Sequence, residues 1–255
     1  MLQAHSLLWH YLWVAPNILL LILAFLLWRR RTWRQFPAFF AFAVFSSIGQ
    51  LAVYTADVLP SITGETFWRV DWASLGVEGI LKFAVIGEIF AAVFGSYPSL
   101  ARLAKVLIRS VGVGLVLAAS LAAAYAPRNQ AGIVYGAHLL EQTIFLVESG
   151  LLLSIFLLSS YFNLSWGRQT FGITLGLSVS ACVHLATWAL FANAALPKPD
   201  RTPLIFLNMA TFHVAVLTWF YYLLVPQRVV TKSAVSLPEN NLAVWNRELE
   251  RLLQQ

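Results

Sequence analysis

The sequence predicts an all-α, polytopic membrane protein, a bundle of seven transmembrane helices followed by a short C-terminal amphipathic helix. Three observations predict it. Hydrophobic residues make up 59% of the 255 and charged residues only 11%, with a mean hydropathy of +0.72, whereas a soluble domain carries about 25% charged residues. The apolar residues fall in blocks of about 20, the length a helix needs to cross hydrocarbon. No block alternates apolar and polar positions as a membrane-barrel strand would.

The first span covers about 7–28 and ends in Arg29, Arg30, Arg31 and Arg34. Pro16 removes a helical N–H and is expected to kink the span near its start. The preceding MLQAHS has no Lys or Arg and no Ala-x-Ala site follows, so this segment is expected to remain as a helix. The second span, about 36–56, is separated from the third, about 72–95, by a polar connection from Asp57 to Asp71. The fourth is about 106–125, turning at Pro127 to Asn129, and the fifth about 133–161. The sixth, about 170–195, is closed by Pro197 and Pro199; the seventh is about 204–225, and residues 226–255 form a tail.

Seven spans put the two ends on opposite sides, and the basic residues orient them. One side holds Arg29, Arg30, Arg31, Arg34, Arg102, Lys105, Arg109, Arg168, Arg228, Lys232, Arg247 and Arg251; the other holds Arg69, Arg128, Lys198 and Arg201. Twelve against four places the N-terminus outside and the tail in the cytoplasm of a cell inner (plasma) membrane. Trp9, Trp13, Trp68, Trp72 and Trp188 then fall in an outer aromatic belt, and Trp28, Trp33, Trp166, Trp219, Tyr221 and Tyr222 in an inner one. The net charge of +6 is accounted for by this loop asymmetry and does not point to nucleic acid. The single cysteine, Cys182, lies inside a span and excludes an intrachain disulfide and a thiolate metal site. Two methionines argue against a copper-handling protein.

Packing faces are partly legible. Gly172, Gly176 and Ser180 recur every four residues and lead to His184, and Ser110, Gly114, Ala118 and Ala122 do the same on the fourth span. Small residues at this spacing let helix backbones approach closely in lipid.

The chemistry-bearing residues are those that hydrocarbon penalises. Ionisable groups inside spans are costly and face a bundle interior or a wet cavity. Five are charged: Glu78, Lys82, Glu88, Glu141 and Glu148. Glu78 and Lys82 are four apart with the Glu first, the favoured order for a helical pair. They form either a self-neutralising structural pair near the outer surface or one arm of an outward polar cavity. Glu141 and Glu148, seven apart, share a helix face, with His138 one turn before Glu141. For Glu88, Glu141 and Glu148 a single hydrogen bond to a neighbouring helix is a sufficient structural role. A proton relay or a polar-ligand site is the functional alternative. His138, His184 and His213 fall on the fifth, sixth and seventh spans, but no His-x-x-x-His, His-Glu-x-x-His or Glu-x-x-His pair is present. No metal or cofactor is indicated by any motif. The Gly-x-Ser-x-Gly elbow, the phosphate loop, Ser-x-x-Lys and a lysine on the seventh span are all missing. Asn163-Leu-Ser165 matches a glycosylation acceptor but lies on the cytoplasmic side.

The tail reads SLPENNLAVWNRELERLLQQ from Ser236. Ser236 and Glu239 make a capping box with Pro238 in the first turn. Leu242, Trp245, Leu249 and Leu252 follow 3-4-3 spacing, giving a helix that lies on the inner membrane surface or docks on a protein partner or a second copy. Leu242-x-x-Trp245-Asn246-x-Glu248-Leu249, at the end of a seven-span chain, resembles a group of uncharacterised bacterial membrane proteins associated with acidobacteria. The resemblance covers the topology and about a dozen tail residues and implies no activity, cofactor or catalytic residue.

Three function classes remain open. The first is a non-enzymatic sensor or accessory subunit with a polar intramembrane cavity coupled to the tail helix. The second is a proton-coupled carrier or channel using the buried glutamates. The third is a metal- or haem-dependent membrane enzyme, which requires His138, His184 and His213 to converge with a carboxylate.

Overall fold

The computed structural model describes residues 5–59, 61–95, 102, 106, 110, 113–114, 130–164, 166–192, 202–225, 247 and 250–251, with backbone alone for 130–140 and 191–192. Among them there is no strand. Six helices are formed: α1 (Leu7–Arg29), α2 (Pro37–Val58), α3 (Gly64–Phe94), α4 (Gln130–Tyr161), α5 (Arg168–Ala192) and α6 (Thr202–Leu224), with a 3-10 turn at Thr32–Arg34. Leu7–Arg29, Pro37–Val58, Glu141–Tyr161, Arg168–Leu190 and Thr202–Leu224 are each long and apolar enough to cross a membrane. The expected fourth span lies largely outside the described residues, where Val106, Ser110, Val113 and Gly114 are helical.

Each helix packs on the next in sequence, and α6 packs back on α1, so the six close into a ring. Cross-contacts fix their directions. Ala38 meets Glu88 while Gln50 meets Glu78, so α2 and α3 are antiparallel. Gly79 faces Ile144 and Lys82 reaches Glu148, so α3 and α4 run the same way. The outward faces are apolar: Ile18, Ile22 and Phe25 on α1, Leu146, Leu153 and Leu157 on α4, Leu207, Val214 and Leu217 on α6. Exposed aliphatic surface on this scale is what a bilayer covers.

The ring is filled unevenly along its axis. Towards the end that carries Arg29–Arg34, the basic end, Leu20, Leu23, Phe39, Phe42, Ile86, Ile89, Leu152, Ile155, Ile173, Val216 and Trp219 are all at most 1% exposed. Gly172 and Gly176 serve this packing. A Cβ on Gly172 would collide with Tyr222, and one on Gly176 with the indole of Trp219. The two glycines let α5 and α6 approach closely, and the space they leave is taken by aromatic side chains from α6. Trp219, expected in the inner aromatic belt, is instead a core residue whose Nε1 donates to the Ile173 carbonyl at 3.2 Å.

Helix ends explain the other departures. The expected polar connection from Asp57 to Asp71 shrinks to Leu59–Thr63, because α3 begins at Gly64. Thr63 caps it by accepting from the Thr66 amide, and Glu65 pairs with Arg69 one turn further on. These polar residues stop the apolar block but not the helix. Pro16 does not interrupt α1. Asn163, at φ 51°, ends α4: its amide donates to Ser160 and that of Leu164 to Ser159, a Schellman closure that explains the asparagine without glycosylation.

At the basic end α2 starts after Phe36, which offers no capping side chain, and Pro37 has no N–H. Both oxygens of Glu88 on α3 fill that role, accepting from the Ala38 and Phe39 amides at 3.2 Å each. A carboxylate there also faces the positive end of the α2 dipole. The α6 C-terminus receives the converse: Arg30 donates to the Leu224 carbonyl at 3.0 Å and Arg168 to that of Tyr221 at 3.5 Å.

Candidate functional site

The half of the ring away from the basic end encloses a cavity of about 690 Å³, to which all six helices contribute. Its polar residues are Asn17 from α1, Ser46 and Gln50 from α2, Glu78 and Lys82 from α3, Glu141, Gln142 and Glu148 from α4, Ser180 and His184 from α5 and Asn208 from α6. Aromatic rings make up much of the remaining wall, and Phe42, Leu177 and Trp219 form a floor continuous with the packed core.

A charged triad sits in the wall. Lys82 Nζ is 3.4 Å from Glu78 Oε1 on its own helix and 3.5 Å from Glu148 Oε2 on α4. Glu148 is 1% exposed and Lys82 8%, so each charge has lost nearly all its water, and their mutual attraction offsets part of that cost. The parallel course of α3 and α4 brings the groups together, and the tight approach of Gly79 to Ile144 sets the spacing between the helices. Gln50 Nε2 donates to the other Glu78 oxygen at 3.3 Å. The Lys82 ammonium also lies 4.4 Å from the Phe145 ring centroid, within cation–π range. Phe145 in turn stacks on His184, centroids 4.2 Å apart and planes 20° from parallel. One turn along α5 the Thr187 hydroxyl reaches the His184 carbonyl at 2.8 Å and the Asn208 side-chain amide at 3.0 Å.

Of the residues singled out from sequence, Glu78, Lys82, Glu141, Glu148 and His184 line the cavity. Glu88 does not, being the cap of α2. His213 lies on the α1–α6 seam with its ring 5.7 Å from Tyr11 and does not line the cavity. The side chain of His138, and Leu242, Trp245, Leu249 and Leu252 of the tail, lie outside the described residues. Of the two readings of the Glu78–Lys82 pair, self-contained or one arm of a polar cavity, the structure has the pair joined by Glu148 in the cavity wall. His184 lines the cavity without His213, and among the described residues no three His, Cys, Asp or Glu side chains are grouped to hold a metal ion.

Four cavity amides escape a reading confined to charges and histidines: Asn17, Gln50, Gln142 and Asn208, each within an apolar helix, which is the signal that identifies them. Asn17 is 2% exposed, and its Nδ2 donates to the Trp13 carbonyl at 2.6 Å while Oδ1 receives no hydrogen bond. Ser46, 1% exposed, likewise has no partner for its hydroxyl. No protein-family model, curated protein or solved structure matches this chain.

Proposed function

We propose that this chain is a non-enzymatic sensor or accessory subunit of a bacterial inner membrane, and that it binds a small molecule in its intramembrane cavity. The observation that carries the reading is the uneven ring: a polar, aromatic-lined chamber in one half and a side-chain-packed core in the other. A chamber of about 690 Å³ is in the range of small-molecule sites, and a packed floor suits a receptor better than a pathway. In this reading the protein has seven spans, the extra one being 106–125; the same-way course of α3 and α4 supports an odd number of crossings between them. The twelve-to-four split of basic residues supports an external chamber and a cytoplasmic tail. The amphipathic helix predicted around Leu242, Trp245, Leu249 and Leu252 is then the output, and deleting Leu237–Gln255 is expected to abolish partner capture.

Sided thiol labelling tests the chamber. Met209→Cys places a thiol on the cavity wall, in a Cys182→Ser background without other cysteines. A membrane-impermeant methanethiosulfonate is expected to modify it from the N-terminal face of oriented vesicles and not from the face bearing Arg29–Arg34. Comparable labelling from both faces would overturn the receptor reading and favour the carrier, in which the floor opens.

A further inference from the structure

We propose that the cavity is a binding site for a small amphipathic amine, taken as its protonated, N–H-bearing cation. The inference rests on the receptor reading for its site and adds the chemical class of the occupant.

Charge comes first. In the triad two carboxylates share one ammonium, and Glu141 adds a third carboxyl side chain to the same wall. The buried triad alone, two carboxylates on one ammonium, is formally at −1. Surplus negative charge shielded from water is costly unless paired, so the site repels an anion and favours a cation.

Hydrogen bonding narrows the class. Glu148 Oε2 shares the Lys82 ammonium, at 3.5 Å, with Glu78, and Asn17 Oδ1 is an acceptor with no donor. Ser46 Oγ is a second buried oxygen without a hydrogen-bond partner. Asn17, Ser46 and Glu148 are all at least 98% buried, and all three line the chamber. Because buried acceptors are ordinarily satisfied, the occupant should bring donors. A primary or secondary ammonium supplies them together with the charge, whereas a quaternary ammonium supplies charge alone.

The walls set the remainder. Trp13, Phe145, Trp188, Phe212 and Trp219 give aromatic faces for a cation and for an apolar tail. A hard cation such as Ca2+ or Mg2+ would instead need a shell of six or more oxygens, and most of the lining surface is apolar.

A series of phenyl-bearing probes on the full-length protein in nanodiscs, with empty nanodiscs as the partition control, tests the proposal. The probes are 2-phenylethylammonium, phenyltrimethylammonium, 2-phenylethanol and 3-phenylpropanoate, followed by isothermal titration. The primary amine is expected to bind saturably and at least about tenfold more tightly than the quaternary and neutral probes, the effect of one charge-assisted hydrogen bond. The carboxylate is expected not to bind. Glu148→Gln and Asn17→Ala should each weaken the amine several-fold. Equal affinity for alcohol and amine, binding of the carboxylate, or no saturable amine binding overturns the proposal on the wild-type protein alone, whatever the variants' folding. The two readings fail separately: one-sided labelling of Met209→Cys without amine binding removes only the ligand class. Amine binding with labelling from both faces removes only the receptor.

Discussion

Replacing Lys82 with Met is expected to destabilise the protein severely, and the comparison that makes this informative lies on the same helix. α3 carries two Glu-first pairs at i,i+4, Glu65–Arg69 and Glu78–Lys82. In the first, the side chains are 55% and 70% exposed, and such surface pairs contribute little. In the second they are 12% and 9% exposed, and Glu148, at 1%, shares the lysine. At an effective dielectric of about 20, an ion pair at these separations is worth about 5 kcal/mol gross, most of which offsets desolvation. Lys82→Met keeps the apolar stem against Phe145 but leaves two buried carboxylates facing each other, an expected loss of about 3–5 kcal/mol. Arg69→Ala should be nearly silent. Lys82→Met combined with Glu148→Gln should recover about 1–3 kcal/mol relative to the sum of the single variants. Reversible unfolding in mixed micelles, read by tryptophan fluorescence, measures all four proteins. If Lys82→Met costs no more than Arg69→Ala, or if the double variant is additive, the triad is not an energetic unit and the argument for a buried surplus charge falls with it.

Two further variants examine what positions the site. Glu88→Ala strips the cap from α2 and is expected to cost about 0.5–2 kcal/mol; Glu88→Gln, which keeps an acceptor, should cost less, and equal losses would refute capping as the role. Gly176→Leu forces the Trp219 indole from its slot and breaks its bond to Ile173, an expected loss of about 1–3 kcal/mol. Thermal denaturation should show Gly176→Leu with Trp219→Ala to be more stable than Gly176→Leu alone, and no recovery would show that the clash lies elsewhere.

The all-helical fold and the helix positions were legible because hydrocarbon imposes a length and a composition that a single sequence displays. The ends were less so. Hydropathy reports where the apolar block stops, and α3 continues past it through Trp68 and Asp71, so its start was carried only by Thr63 and the Glu65–Arg69 spacing. The face shared by Glu141 and Glu148 was legible from their seven-residue spacing, and both line the cavity. That Glu148 would meet Lys82 was not, since the two are 66 positions apart and helical periodicity says nothing about which helix is a neighbour. Glu88 left a fainter trace: Phe36-Pro37-Ala38 opens a helix with no capping side chain, so a carboxylate had to come from elsewhere. Gly172 and Gly176 marked an interior face, but their spacing does not tell that Tyr222 and Trp219 take the space they leave.

The absence of a recognisable motif follows from the way the site is built. Each helix contributes only one to three polar residues, all in the half away from the basic end: Asn17, Ser46 and Gln50, Glu78 and Lys82, Glu141 to Glu148, Ser180 and His184, Asn208. A motif requires several functional groups within one turn or loop, as a metal-binding His-x-x-x-His or a phosphate loop does. Here the groups share a depth and not a neighbourhood in sequence, and the ring converts common depth into common space. The same arithmetic limits the chemistry. A dispersed set of amides, carboxyls and rings facing one chamber suits recognition of charge and donor count, and among the described residues no three His, Cys, Asp or Glu side chains are grouped to hold a metal ion. Under the proposed receptor reading, the packed basic half, with Trp219 at the junction, is the part that would have to move if recognition were ever converted into passage.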